Sequence, residues 1–144
     1  IPAQKAGAIA AAAGVTDGDW CPVFPGSMKS RADGNIYVLG DASVASAMPK
    51  SGYSANSQAK VAANHIRGTL TGSKVYDARF SNTCWSLVAT NDGVKVGANY
   101  KSGYDKIEVV DKFISTNDED AATRKSTYEE SLGWYAGITA DMFS

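Results

Sequence analysis

The sequence predicts an α/β segment followed by an α+β segment that ends in an antiparallel meander and a C-terminal helix. Three observations carry this. An apolar run, Ile36-Tyr37-Val38-Leu39, ends in Gly40-Asp41 and is followed by an Ala-rich stretch from Ala55 to Ala63. From Tyr76 the pattern changes to two-residue alternation broken by short polar turns. The last stretch repeats apolar residues every three or four positions, the spacing of a helix.

In chain order, residues 3–13 have the composition of a helix, with Gly14 as a C-cap. Val15 to Asp19 is turn chemistry, and Trp20-Cys21-Pro22-Val23 is a short extended segment. Pro25-Gly26 and Ala32 to Asn35 are further turns. Ile36 to Leu39, four apolar residues between turns, reads as a buried parallel strand. A loop of small residues, Ala42 to Ala47, leads to a helix from Gly52 to Arg67. Ala55, Ala59, Ala62, Ile66 and Leu70 form its apolar stripe, and Gly68 and Gly72 close the segment.

Composition changes near Ser73, which divides the chain into 1–72 and 73–144. Trp85 to Thr90 is a strand, Asn91-Asp92-Gly93 a turn, and Val94, Val96, Ala98 and Tyr100 the apolar side of a second strand. Ser102-Gly103 turns again, and Ile107 and Val109 continue on a third strand. Ser115 to Arg124 reads as a charged surface loop. The last helix is expected from Thr127 to Met142, with a core stripe of Tyr128, Leu132, Tyr135, Ile138 and Met142. Trp134 falls about 100° off that stripe, between Gly133 and Gly137.

A net charge of -1 gives no electrostatic footprint for nucleic acid or anionic lipid. No apolar run approaches the roughly 20 residues that span a bilayer. The apolar opening, Ala6 to Val15, reads as helix and not as a targeting segment. With two cysteines and one histidine, neither a disulfide scaffold nor a metal site is expected.

Several residues carry chemistry, each beside a plainer role. Asp41, at the carboxyl end of a strand after Gly40, is placed to accept hydrogen bonds from sugar-alcohol hydroxyls, or else caps its own loop. Met48-Pro49-Lys50-Ser51-Gly52-Tyr53 opens a helix whose N–H groups could stabilise charge on a flavin, or is an ordinary capped start. Cys21 has a rigid mount between Trp20 and Pro22 and is either a redox thiol or a buried structural one. Cys84 reads as structural, and a Cys21–Cys84 disulfide stays open. Trp134 covers a flavin or substrate pocket, or is a surface or interface ring. His65, Lys50 and Lys60 read as solvated.

Trp20 to Val23, Ile36 to Ala42, the string Met48-Pro49-Lys50-Ser51-Gly52-Tyr53-Ser54-Ala55-Asn56-Ser57-Gln58, Asn82-Thr83-Cys84-Trp85-Ser86 and Trp134-Tyr135 occur in that order. Together they closely resemble the C-terminal part of the flavoprotein subunit of flavocytochrome c sulfide dehydrogenase. The resemblance does not extend over Phe24 to Asp33 or Ser115 to Arg124. It implies a glutathione-reductase-like flavoprotein with two dinucleotide-type domains. Residues 1–72 would be the last piece of the FAD-binding domain, and 73–144 a domain that covers the flavin and makes subunit contacts.

The same resemblance implies roles. Gly40, Asp41, Met48, Pro49, Lys50, Ser51 and Tyr53 would bind FAD, Asp41 at the ribityl chain. Cys21 would be half of a redox-active disulfide whose partner lies upstream, in an N-terminal part of the same flavoprotein. Trp134 would be the aromatic beside the flavin. The expected activity is periplasmic oxidation of sulfide, with electrons passing through FAD to a c-type cytochrome subunit, and the fragment inactive alone. The alternatives are a related flavoprotein with quinone as acceptor and a non-catalytic interface module.

Overall fold

The computed structural model describes residues 5–143. It contains three α-helices, a short 3-10 turn at Gly40–Ala42 and five strands: α1 (Ala8–Ala12), β1 (Cys21–Pro22), β2 (Ser43–Val44), α2 (Gly52–Thr71), β3 (Arg79–Ala89), β4 (Asp92–Ser102), β5 (Ile107–Ile114) and α3 (Ala121–Phe143). The mixed fold expected from the sequence is present: β3, β4 and β5 form an antiparallel three-stranded sheet in that order, and a C-terminal helix follows. The backbone divides into two compact units, Ile1–Asn82 with Asn99–Asp111, and Thr83–Ala98 with Lys112–Ser144.

The first unit holds most of the buried apolar side chains, including Val15, Cys21, Val23, Met28, Met48, Val61, Ala62, Phe80, Tyr100 and Ile107. Its longest element is α2. Ser51 caps it, its side chain accepting the Ser54 N–H at 3.1 Å, and Gly72 ends it in the left-handed conformation with φ 67°. The buried face is not the expected one. Ser54, Gln58, Val61, Ala62 and Gly68 are buried, while Leu70 is 79% exposed. The face is turned because Ser54 and Gln58 find hydrogen-bond partners in β3 and in the Gly40 turn, which makes burial of a polar side chain tolerable.

Two further expectations change in this unit. Ile36 to Leu39 does not form a parallel strand. Its only ladder contact is an isolated antiparallel bridge between Lys29 and Tyr37, and all four residues are half-buried. A buried parallel strand needs neighbours to complete its hydrogen bonds, and here the parallel pairing is the short β1–β2 ladder, Cys21 with Ser43 and Pro22 with Val44. The helix expected over 3–13 is observed only at Ala8–Ala12, with residues 3 and 4 outside the described range. It buries no residue, and a helix without a packed face does not propagate far. Gly14 follows it at φ 69°, its N–H bonded to the Ala11 carbonyl at 3.0 Å.

In the second unit, the β3–β4 hairpin turns at Thr90-Asn91, with Asn91 at φ 60°. The helix α3 starts at Ala121, within the segment expected to be a loop. Asp120 caps it: its carboxylate accepts the Thr123 N–H at 2.7 Å and its carbonyl the Arg124 N–H at 3.1 Å. The packed line of α3 is Arg124, Thr127, Tyr128, Ser131, Trp134 and Ile138, all half-buried or buried. Leu132, Tyr135 and Met142, assigned to the core by periodicity, are 50%, 67% and 57% exposed. Trp134 therefore lies on the packed face and not beside it.

At Gly93 the strand meets α3 at backbone distance. A Cβ there would lie 3.0 Å from the Tyr128 nitrogen and 3.1 Å from its Cα. Arg124 Nε donates to Asp92 Oδ1 at 2.5 Å, and Lys95 donates to both carboxylate oxygens of Glu130 at 2.8 and 2.6 Å. These bonds hold the helix and the hairpin together where few apolar side chains are buried.

Candidate functional site

The first unit gathers four of the expected cofactor-binding residues around one cavity. Gly40, Met48, Pro49 and Lys50 line it together with Trp20, Ser43 and Gln58, and it encloses about 160 Å³. Each wall has a local cause. The Trp20 carbonyl accepts the Asp17 N–H at 2.8 Å, which closes a tight turn before β1. The Lys50 ammonium sits 3.5 Å from the centroid of the Trp20 ring and donates to the Asp41 carbonyl. Lys50 is thus held by a cation–π contact and a hydrogen bond, and the expectation of a simply solvated lysine does not hold.

Gly40 adopts φ 63°, a conformation that favours glycine, and a Cβ there would meet the Ala55 Cβ at 3.2 Å. The small residues at the start of α2 let the loop approach the helix this closely. Gly40 N–H donates to Gln58 Oε1 at 2.7 Å, and Ser43 Oγ donates back to the Gly40 carbonyl at 2.9 Å. Gln58 is 1% exposed and its Nε2 lies 3.8 Å from the Met48 sulfur. Trp20 and Gln58 are site residues that the sequence reading did not single out. Gln58 ended the quoted Met48–Gln58 string, but its side-chain role depends on a loop 18 residues away.

The remaining expected residues stand around this cavity or apart from it. Asp41 is exposed in the 3-10 turn. Ser51 is the N-cap of α2, and Tyr53 is half-buried in its first turn. Cys21 is fully buried, its backbone paired in parallel with the cavity residue Ser43. Both cysteines are free thiols, so the Cys21–Cys84 disulfide left open by the sequence is not formed. Cys84 is exposed and not the buried structural residue expected. His65 is also not fully solvated: its Nδ1 is 2.8 Å from the Tyr37 hydroxyl. Trp134 lies in the second unit, its ring 5.7 Å from that of Trp85 at an interplanar angle of 35°.

Among the described residues no cluster of His, Cys, Asp and Glu is arranged to hold a metal ion. No described helix is long and apolar enough to cross a membrane.

The second half of the chain supplies the deciding comparison. Residues 76–143 match the family model of the flavocytochrome c sulphide dehydrogenase flavin-binding domain. That segment, just under half of the chain, is similar to this family's domain. The flavin-binding domain takes in all of β3, β4 and β5 and all of α3, including Asn82, Trp85 and Trp134. The family's domain is by description a flavin-binding one, consistent with FAD, and the match supports a flavoprotein of the sulfide dehydrogenase system.

The residues of the first unit fit such a group in kind. A flavin presents a flat apolar ring with a polar edge and a hydroxylated chain. The cavity offers the Trp20 ring, Met48 and Pro49 as apolar surface, and the Lys50 ammonium as positive charge. Beside it stand an exposed carboxylate, Asp41, and the start of a 20-residue helix with its partial positive end. The tight backbone approach at Gly40 leaves no room for a side chain on the α2 side.

Proposed function

We propose that the chain is the C-terminal part of a periplasmic flavoprotein that oxidises sulfide and delivers the electrons to a c-type cytochrome subunit. The observation that carries the proposal is the match of residues 76–143 to the flavin-binding domain of flavocytochrome c sulphide dehydrogenase. In this reading residues 1–72 complete the FAD-binding domain, and residues 73–144 cover the flavin and make subunit contacts. The upstream part of the flavoprotein would supply the rest of the cofactor site.

The residues divide the work by their chemistry. Asp41 accepts hydrogen bonds from ribityl hydroxyls. The start of α2 and the Lys50 ammonium lay positive potential against the polar edge of the ring, favouring its electron-rich form. Met48, Pro49, Gly40 and Tyr53 shape the wall, and Trp134 gives an aromatic surface. FAD supplies acceptance of an electron pair from a thiolate and release of single electrons to haem. Cys21 forms a disulfide with an upstream cysteine. Hydrosulfide attacks that disulfide, one S–S bond breaks as a persulfide bond forms, and the freed thiolate carries the electron pair.

The burial of Cys21 next to Trp20 suits this assignment, because a disulfide that reacts only with a small nucleophile is best kept from bulk thiols. In the full-length flavoprotein, Cys21→Ser is expected to abolish sulfide oxidation while FAD remains bound. Unimpaired turnover in that variant would remove the disulfide from the mechanism.

A further inference from the structure

We propose that Asn82 is a positioning residue for the flavin, acting through the N-cap of α2. The inference rests on the reading above that the start of α2 faces the cofactor. Asn82 is 3% exposed, near the beginning of β3. Its Oδ1 accepts two hydroxyl protons, from Ser51 Oγ at 2.5 Å and from Ser54 Oγ at 3.1 Å. Both serines belong to the first turn of α2, one as the N-cap and the other three residues on.

This arrangement fixes the cap as well as the helix. A serine hydroxyl has one proton and two lone pairs. With its proton committed to Asn82, Ser51 Oγ turns lone-pair density to the Ser54 N–H, which it accepts at 3.1 Å. Asn82 therefore determines which way the cap points and which N–H it takes. Gly52, exposed at the first helical position, keeps an N–H outside the cap.

A merely structural tether would need less. The same helix and strand are already joined by the Ser81 N–H donating to Ser57 Oγ at 3.0 Å, further along α2. Asn82 adds a contact aimed at the helix start, through the side chains that set its polarity. It also lies within the flavin-binding segment, whereas the helix start does not. Asn82 thus couples the matched segment to the cavity wall.

The test uses the FAD-loaded full-length flavoprotein and reads the midpoint potential of the flavin, with FAD content and thermal unfolding measured alongside. In Asn82→Ala the cap loosens. The ratio of reduced to oxidised flavin at a fixed poise is expected to fall about fivefold, the scale of a helix-end charge interaction. Ser51→Gly should produce a similar fall, and the double variant no further one. Ser57→Ala, which breaks the other tether, should leave the potential unchanged. Asn82→Ser keeps a polar side chain but is too short to reach both hydroxyls, and serves if the alanine variant does not fold; it should also lower the ratio. If Ser51→Gly shifts the potential and neither Asn82 variant does, the positioning role is overturned. If none of these variants shifts it, the placement of the helix start against the flavin fails as well.

Discussion

Gly40 N–H and Gln58 Oε1 meet at 2.7 Å, joining the turn that carries Asp41 to the second turn of the helix that follows. The bond is buried on the helix side, where Gln58 is 1% exposed. The turn conformation depends on it, because Gly40 sits at positive φ and its N–H has left the strand ladder that the local sequence suggests.

Replacing Gln58 with Leu is expected to cost about 1–3 kcal/mol of stability, since the half-buried Gly40 N–H would lose its acceptor on the Gln58 side. Chemical denaturation of the flavoprotein checks the value. The same variant should release FAD faster, because the Gly40 turn is a wall of the cavity. Gln58→Glu keeps an acceptor and should retain FAD better than the leucine variant at neutral pH. Equal loss in both would show that the volume of Gln58, and not its hydrogen bond, holds the turn.

Much of this architecture is legible in the sequence for a physical reason. Ser51 announces the start of α2, because capping is local chemistry, whereas the helix runs past the expected end at Arg67, through Gly68, to its cap at Gly72. The meander announces itself by alternation, and its turns by Asn91 and Gly103. The cavity was legible only in part. Met48, Pro49 and Lys50 are contiguous, but Trp20 and Gln58 join them through tertiary contacts that no local pattern records. Periodicity failed where burial depends on distant partners. In α2 the buried face is polar at Ser54 and Gln58 because a strand and a loop satisfy those side chains. In α3 the packed face includes Arg124, Thr127 and Ser131, which a hydrophobic pattern passes over, and so Trp134 was assigned to the wrong side. Ile36 to Leu39 has strand composition without strand neighbours.

Glycines in the second unit offer a paired test. Gly93→Ala places a methyl group against the Tyr128 backbone at about 3 Å, where no flexible side chain can yield. The expected cost is about 1–3 kcal/mol, the range for overpacking. Gly137 lies inside α3 with open space where its Cβ would stand. Gly137→Ala should therefore stabilise the helix by up to about 1 kcal/mol. Thermal unfolding measures both. If Gly137→Ala raises stability yet lowers FAD content or cytochrome reduction, the bare flank beside Trp134 is a contact surface of the assembled enzyme.

Acid should loosen the start of α3 only well below neutral pH. The Asp120 carboxyl is held below its usual pKa, first by the Thr123 N–H that it caps and then by the Thr123 hydroxyl. Asp118 is lowered too, mainly by the Thr116 hydroxyl. A carboxylate whose folded pKa is depressed binds its proton more readily in the unfolded chain. Its contribution is complete above the unfolded value, about 3.9, and is lost as pH falls through the lower folded value. Helix content of the flavoprotein, followed by circular dichroism, should therefore hold steady from neutral pH to about pH 5 on this account and decline below about pH 4. Asp120→Asn keeps a capping oxygen without the charge and should flatten the acid limb, whereas Asp120→Ala should lower helix content at every pH. An acid limb unchanged in Asp120→Asn would assign the transition to other carboxylates.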